Sequence, residues 1–407
     1  RGVPQGRWGM CAPMSSLLGQ GARRGGVAGR SHRGQSAPTG PGLSGAGGVG
    51  AKACAMAHHR QGCVIGPGLL APRRTIPTGR TRMLRKSILA AAAMLGLALP
   101  AAAETREFRL GLITPPVHVW NQEVAALSET LKERSNGRFS IVAFPSGQLG
   151  NEAAMLQQLQ TGALDMAWLT SAELTFRVPD MAALHAPFLV SNIDEAAQVL
   201  RSDVAREILA DLPRATGTVG VCYAMIGMRQ MVLRDSIDSA DQLAGKRIRI
   251  TPAPAISTFF EMFGAAPAPM PLPAIYDALA NGQIDGLDMD FESIINFRYY
   301  EHAPYLLETN HHMFGMVALI SGPVWAQLSA EDRALITEAT QLHCDRTIDR
   351  FVTEEDDKLA RLREAPGIRI TEDVGPDFFG DIVERWDAEW GAKTPYVQRL
   401  RDLVASF

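Results

Sequence analysis

Charged side chains next to short apolar segments are the residues of this 407-residue chain that could do chemistry. Arg249 stands in RIRI (247–250) and alternates with Ile248 and Ile250, so in a strand its side chain faces away from theirs. A guanidinium offers a planar fork of donors that matches a carboxylate. The alternative is an exposed strand arginine in a weak surface ion pair, and the pattern by itself favours that alternative.

Two carboxylates in GLDMDF (286–291) form a second group. Asp288 and Asp290 would share one face of a strand and could do acid–base chemistry, although solvation at the rim of a cleft is the preferred explanation. No His or Cys cluster accompanies them in the sequence, so we expect no metal site. The sequence contains no Gly-x-Ser-x-Gly elbow, no His-Glu-x-x-His motif and no glycine-rich dinucleotide fingerprint after its first strand. We therefore expect a protein that is not an enzyme and needs no cofactor.

The elements that must position these residues alternate between strand and helix patterns. We predict strands over 108–113, 139–145, 163–169, 246–250, 283–289 and 367–370. We predict helices over 119–133, 151–161, 256–265 and 274–281, a long helix from Ser329 towards Ala365, and a helical tail from Pro376. This alternation predicts an α/β fold with mostly parallel sheets and helices on their faces.

One phrase, Leu-x-x-Gly-x-aliphatic-Asp, occurs twice, at 159–165 and 279–285. In each copy a glycine, Gly162 or Gly282, permits the left-handed end of a helix just before the next strand. The repetition indicates two similar α/β lobes.

The beginning of the chain does not fit this plan. Residues 1–82 are rich in Gly, Ala, Arg, Pro and Ser without helical or strand periodicity, and we interpret them as non-native upstream translation or a disordered segment. Residues 83–103 have a charged start, an apolar stretch and an Ala-x-Ala cleavage site, which predicts a secretory signal peptide and a periplasmic protein. A genuine disordered extension followed by an anchor helix is the alternative.

The net charge limits the classes of partner that the protein can bind, and the cysteines limit its disulfides. Of the 40 basic residues 14 precede Glu104, whereas all 43 acidic residues follow Ala103, so 104–407 carries a formal net charge of −17. This acidity argues against nucleic acid and anionic membrane surfaces. Only Cys222 and Cys344 follow Met83, and the sequence leaves open whether they pair or remain buried thiols.

Four longer segments then identify a family. FPSGQLGNEAAMLQQLQTGALDMA, VPDMAALHAPFL, GKRIRI…FGAAPAPMPLPAIYDALANGQIDGLDM and YYEHAPYLLETNH resemble the solute-binding proteins of tripartite ATP-independent periplasmic (TRAP) transporters, in order over nearly all of 106–400. The resemblance implies the two-lobed periplasmic-binding-protein (Venus-flytrap) fold, with crossing strands and a long lobe-spanning helix. It also implies discontinuous lobes: 104–226 plus 315–354 as lobe I, and 227–314 plus 355–407 as lobe II.

The resemblance assigns candidate ligand-binding residues. Arg249 matches the arginine that pairs with the ligand carboxylate, and Arg229 matches a second arginine of the cleft. The other candidates match positions that face the ligand in relatives: His118, Trp168, Thr170, Glu173, Asp288 and Met289. The chain departs from sialic-acid-binding members at two places, since Glu173 replaces an arginine and Met289 replaces an asparagine.

The predicted function is that of a monomeric binding protein that closes on an organic carboxylate and delivers it to the two-subunit membrane permease of a TRAP transporter. Met289 and Trp168 favour an apolar ligand body, whereas Asp288 and Glu173 favour hydroxyl or amine groups. A binding lobe that feeds a sensor, or a binder of a zwitterionic compatible solute, remains as the alternative.

Overall fold

The computed structural model describes residues 105–407. The predicted upstream segment (1–82) and signal peptide (83–103) lie outside the described residues. Within 105–407, no helix combines the length and the apolar character that crossing a bilayer requires.

The strands of residues 105–407 form two sheets. Their bounds are β1 (Arg106–Gly111), β2 (Phe139–Phe144), β3 (Met166–Thr170), β4 (Thr218–Met228), β5 (Gln230–Leu233), β6 (Arg247–Ile250), β7 (Ala266–Pro269), β8 (Gly286–Met289), β9 (Tyr305–Leu307), β10 (Met313–Ser321) and β11 (Arg369–Thr371). The first sheet has the order β2-β1-β3-β10-β4, and the second has the order β11-β9-β5-β8-β6-β7.

Helices cover the faces of both sheets. Their bounds are α1 (Val119–Arg134), α2 (Glu152–Thr161), α3 (Ser171–Leu174), α4 (Ile193–Arg201), α5 (Asp203–Leu209), α6 (Leu212–Thr216), α7 (Pro254–Met262), α8 (Ile275–Ala280), α9 (Phe291–Phe297), α10 (Gly322–Gln327), α11 (Ala330–Glu364), α12 (Ile382–Trp390) and α13 (Tyr396–Val404). Most predicted elements agree with these bounds to within a few residues.

The chain crosses between the sheets twice. On the way out, β4 of the first sheet is followed by β5 of the second sheet after a single residue, Arg229. On the way back, β9 of the second sheet leads through 308–312 to β10 of the first sheet. The crossing strands form the antiparallel pairs, through β10 with β3 and β4 and through β5 with β8 and β9. The remaining pairs are parallel: β1 with β2 and β3, β6 with β7 and β8, and β9 with β11. The crossing strands therefore make both sheets mixed.

The two copies of the repeated phrase have the predicted backbone. Gly162 has φ 76° and Gly282 has φ 67°, both in the left-handed region that favours glycine. Each glycine N–H donates to a carbonyl of the helix that has just ended, at Leu159 and Leu279 respectively. The turn at Gly162 leads from α2 into β3, and the turn at Gly282 leads from α8 into β8. The two halves of the chain therefore share one helix–turn–strand unit.

The long helix α11 connects the two halves. It has 35 residues, which is roughly 50 Å of helix, and Ser329 caps its start by accepting a hydrogen bond from the Asp332 amide. It packs against β4 and α1 near the first sheet and against α9 near the second. A disulfide joins Cys222 on β4 to Cys344 on α11, and this answers the pairing that the sequence leaves open.

Candidate functional site

A small cavity lies between the two sheets, where strands of both sheets end. This inner cavity has a volume of about 30 Å³, which holds one or two water molecules. It is lined by Ile113, Thr114, His118, Trp120, Glu152 and Thr170 after strands of the first sheet, by Ile226 and Arg229 at the crossing, and by Arg249, Thr251, Pro252, Pro271, Leu272, Met289, Asp290 and Ser293 from the second half.

A larger outer cavity of about 330 Å³ adjoins it. The two cavities share Ile113, Glu152, Pro271 and Leu272, and Gly147, Gly150, Asn151, Pro273 and Ala274 complete the outer wall. The inner cavity forms the narrow polar end of the site, and the outer cavity forms its wider part.

Arg249 lies at the deep end and is buried. Its Nε and Nη2 donate to the Met270 carbonyl at 3.0 and 2.7 Å, and its Nη1 donates to Thr251 Oγ1 at 3.4 Å. Burial lowers the pKa of the guanidinium to about 10, so it stays charged at neutral pH. A guanidinium has five N–H groups, and these bonds leave one on each terminal nitrogen. A ligand carboxylate can accept hydrogen bonds from these two groups.

Arg229 also lines the inner cavity, but its charge is already compensated. Its Nη1 donates to Asp290 Oδ2 at 3.2 Å and approaches Met289 Sδ at 3.1 Å. Its guanidinium carbon lies 3.8 Å from the centre of the Phe314 ring, which adds a cation–π contact. Both charged partners are buried, so the pair holds the crossing of β4 and β5 in place.

The two carboxylates of GLDMDF do not act as a pair. Asp290 caps α9 by accepting the Ser293 amide and pairs with Arg229. Asp288 is fully buried behind the cavity, with Oδ1 3.9 Å from Arg249 Nη1. Burial raises the pKa of Asp288, and the charges of Arg229 and Arg249 oppose that rise. Met289 lies between them and lines the inner cavity.

Trp168 does not reach the cavity. It is fully buried on β3, and its ring packs edge-on against Trp120 at 6.4 Å. Trp120, which follows His118, is the indole that lines the cavity. Its Nε1 donates to the Met225 carbonyl at 2.8 Å, which fixes the ring against the crossing strand. The alternation of β3 could not reveal this, because a second tryptophan from α1 intervenes.

Thr170 lines the inner cavity at the end of β3, and Glu173 lies beyond both cavity walls. Thr170 caps α3, with its hydroxyl accepting the Glu173 amide. Partial burial and the negative charge of Glu152 raise the pKa of Glu173 to about 7, while Arg177 opposes the rise. The structure therefore brings Thr170 to the site and leaves Glu173 at its margin.

His118 forms part of the inner cavity wall at the start of α1. Its Nδ1 accepts the Trp120 amide at 3.1 Å, which caps the helix. Burial lowers the pKa of His118 to about 4, so the ring is neutral at neutral pH and carries its proton on Nε2. Among the described residues that Nε2 has no hydrogen-bond partner.

Glu152 is the site residue that sequence reasoning missed. It lies in the first turn of α2, lines both cavities, and accepts the Thr170 amide at 2.6 Å. Burial raises its pKa, while that hydrogen bond and the charges of Arg249 and Arg229 oppose the rise. In the sequence Glu152 follows Asn151 as an ordinary acidic residue at a helix start, and nothing local distinguishes it from a surface group.

One further cluster contacts the back of the site. Within 105–407, Asp288, His311 and His312 form the one group whose potential ligand atoms all lie within 4.8 Å of one another. Burial lowers the pKa of both imidazoles, to about 3 for His311, and the nearby Arg229 lowers both further. Two guanidinium groups act on the same Asp288, and they oppose the approach of another cation.

An inter-sheet cavity with a buried, oriented arginine defines a two-lobed solute-binding protein. The chain belongs to the bacterial extracellular solute-binding protein family 7, because the model of that family matches residues 110–380. This confirms the predicted family and fold class. Members are extracellular or periplasmic by description.

Two similar proteins are named for the ligands that they bind. The sialic acid-binding periplasmic protein SiaP of Vibrio cholerae is 26% identical over 278 residues, which cover 68% of this chain and 86% of that protein. The 2,3-diketo-L-gulonate-binding periplasmic protein YiaO of Escherichia coli is 26% identical over 267 residues, which cover 65% of this chain and 80% of that protein.

Solved structures agree with the fold. A TRAP periplasmic solute-binding protein from Bradyrhizobium sp. BTAi1, in complex with α/β-D-galacturonate, has a TM-score of 0.69 and 28% identity, covering 73% of this chain and all of that chain. Another from Xanthobacter autotrophicus Py2, with bound β-D-galacturonate, has a TM-score of 0.68 and 26% identity, covering 74% of this chain and 99% of that chain. The predicted function as a TRAP solute-binding protein is thereby confirmed.

Proposed function

We propose that this protein captures an organic acid with a single carboxylate and several hydroxyl groups, such as a sugar acid. The observation that carries the proposal is Arg249. Its side chain is held by the Met270 carbonyl and Thr251, and one N–H group on each terminal nitrogen has no hydrogen-bond acceptor among the described residues. A charged donor pair that is already oriented loses little freedom when it binds a carboxylate.

Hydroxyl groups of the ligand would meet a polar wall. Glu152 offers carboxyl oxygens as acceptors, and His118 Nε2 offers a donor. Hydroxyl groups that can both donate and accept come from Thr170, Thr251 and Ser293. The inner cavity is too small for a whole hexuronate, so the carboxylate would occupy it while the sugar body extends past Glu152 into the outer cavity. The bound galacturonates of the two related structures have this combination of groups.

A dicarboxylate fits the same site poorly. Glu152 and Asp290 both line the inner cavity, and Arg229 is already paired with Asp290. A second ligand carboxylate would lie beside the carboxyl groups of Glu152 and Asp290, and Asp290 already pairs with Arg229. This distribution of charge favours a monoanion.

Binding and closure are coupled in this proposal. Lobe I would comprise 104–226 plus 315–354 and lobe II 227–314 plus 355–407, as the separate sheets and the crossings at Arg229 and 308–312 support. A ligand that bridges Arg249 and the Glu152–Thr170 wall makes contacts to both lobes only when they are closed. That difference in affinity shifts the population towards the closed form.

The proposed partners follow from the family. The signal peptide 83–103 would export the chain, and the liganded monomer would deliver its ligand unchanged to the two permease subunits of a TRAP transporter. The acidic surface would keep the protein soluble while Arg249 provides the local attraction.

A thermal-shift screen tests the ligand class. Purified 104–407 would be heated with D-galacturonate, D-glucuronate, L-gulonate, succinate and ectoine at equal concentrations. Ligands that bind the folded state raise the melting temperature. We expect the sugar acids to raise it and succinate to leave it unchanged. A shift with succinate or ectoine but with none of the sugar acids would contradict the proposal.

A further inference from the structure

The start of helix α1 is capped from the other half of the molecule. His118 and Trp120 line the inner cavity, and the residue between them, Val119, donates its amide to Glu292 Oε1 at 2.9 Å. Glu292 belongs to α9 and is 173 residues away in the chain. The first amides of a helix have no partner within the helix and are usually capped by a neighbouring residue. Here a distant carboxylate supplies part of the cap.

Glu292 does not itself line the inner cavity. Its neighbours Asp290 and Ser293 do, so the first turn of α9 contacts the cavity on one side and α1 on the other. The bond from Val119 to Glu292 therefore joins the two walls of the cavity.

The long helix places a positive charge behind this carboxylate. Lys358 on α11 has its Nζ 3.9 Å from Glu292 Oε2 and 4.1 Å from the centre of the Phe351 ring. Both charged side chains are buried, with 6% of Lys358 and 8% of Glu292 exposed. A carboxylate at the N-terminus of a 16-residue helix also interacts favourably with the helix dipole. Three helices thus converge on one side chain next to the cavity.

We propose that Glu292 is a positioning residue of the binding site. It fixes the wall of His118 and Trp120 relative to the wall of Met289 and Asp290, and it strengthens ligand binding without touching the ligand. This inference rests on the proposed function, because it assigns the role to the same cavity.

The test compares Glu292→Ala and Glu292→Gln with Glu354→Gln. Glu354 contacts the same Lys358 at 3.6 Å and bonds Arg350, but it has no hydrogen bond to α1 among the described residues, so it is a matched control. We expect Glu292→Ala to raise the Kd of the best sugar acid about tenfold, as for loss of a charge-assisted hydrogen bond. Glu292→Gln keeps an acceptor oxygen for the Val119 amide and should recover most of the affinity. Glu354→Gln should stay within about twofold of the original protein.

Hydrogen exchange of the unliganded protein provides a second readout. The amides of Val119, Trp120 and Asn121 should exchange faster in Glu292→Ala than in the original protein, and at the original rate in Glu354→Gln. An unchanged Kd in a folded Glu292→Ala variant, or equal losses in the Gln and Ala variants, would overturn the inference.

The two proposals fail in different ways. If the original protein binds none of the carboxylates, the proposed function is wrong, and the positioning role that rests on it is rejected as well. If the original protein binds a sugar acid and a folded Glu292→Ala variant binds it equally well, only the positioning role is rejected. If Glu292→Ala does not fold, the comparison of Glu292→Gln with Lys358→Met replaces it. We then expect Lys358→Met to weaken binding and Glu292→Gln to preserve it, and the reverse order would reject the role.

Discussion

Arg249 Nη1 lies 3.9 Å from Asp288 Oδ1, and both side chains are buried. This separation is too long for a hydrogen bond, and neither oxygen of Asp288 has a hydrogen-bond partner among the described residues. The neighbouring Arg229 makes a direct bond to Asp290 at 3.2 Å instead. The two arginines of the cavity therefore differ: Asp288 lies near Arg249 without accepting a hydrogen bond from it, whereas Asp290 accepts one from Arg229.

The first prediction concerns the guanidinium of Arg249. Arg249→Ala should weaken sugar-acid binding by about 2–5 kcal/mol, because the ligand carboxylate loses its buried cationic partner. Titration calorimetry of 104–407 measures the change. Arg247→Ala is the control, since Arg247 lies on the same strand but is half-exposed and pairs with Asp285. Equal affinities in Arg249→Ala and Arg247→Ala would reject Arg249 as the anchor.

Glu152 should determine how strongly the site prefers a monocarboxylate over a dicarboxylate. Glu152→Gln replaces the carboxyl group that lines the cavity with Arg249 and Arg229 by an amide, and it weakens acceptance from ligand hydroxyls. We expect the ratio of galacturonate to succinate affinity to fall about tenfold, as for loss of one hydrogen bond to a charged group. The matched variant is Glu173→Gln, because Glu173 lines neither cavity. A ratio that stays constant in Glu152→Gln would remove this residue from the account of specificity.

The disulfide should carry a measurable part of the stability. Cys222 and Cys344 are 122 residues apart in the chain, and both are buried. Loop-closure entropy then predicts that the double variant Cys222→Ala, Cys344→Ala loses about 2–5 kcal/mol of unfolding free energy. Denaturant unfolding with and without dithiothreitol provides the measurement. The reductant should lower the midpoint of the original protein and leave that of the variant unchanged; an original protein insensitive to reductant would contradict the prediction.

Acid should destabilise the fold through its buried histidines. Burial lowers the pKa of His185 to about 3, from an ordinary value of about 6.5. Between these values the unfolded chain binds a proton that the folded protein does not, so stability falls as the pH falls, by about 1.4 kcal/mol per pH unit for this group. His185→Gln should flatten the pH dependence of unfolding between pH 6 and 4 by that amount. An unchanged slope would show that His185 titrates normally in the folded protein.

Several features of the protein were predictable from local sequence. The order of strands and helices follows from apolar periodicity and from turn residues such as Gly162 and Gly282, whose role depends only on the neighbouring backbone. The long helix follows from the cap at Ser329 and an uninterrupted helical pattern. The proposal that Arg249 is the anchor came from the family resemblance, because its strand pattern by itself favours a surface arginine.

Tertiary structure decided which side chains meet. Trp120 rather than Trp168 lines the cavity, because α1 inserts an indole between β3 and the cavity. Glu152 and Glu292 look like ordinary acidic residues at helix starts, and only the folded chain shows that one lies between the two cavities and the other caps a distant helix. The physical reason is common to all three cases. Sequence patterns report on neighbours within a few residues, whereas a binding site depends on distances between residues that are far apart along the chain.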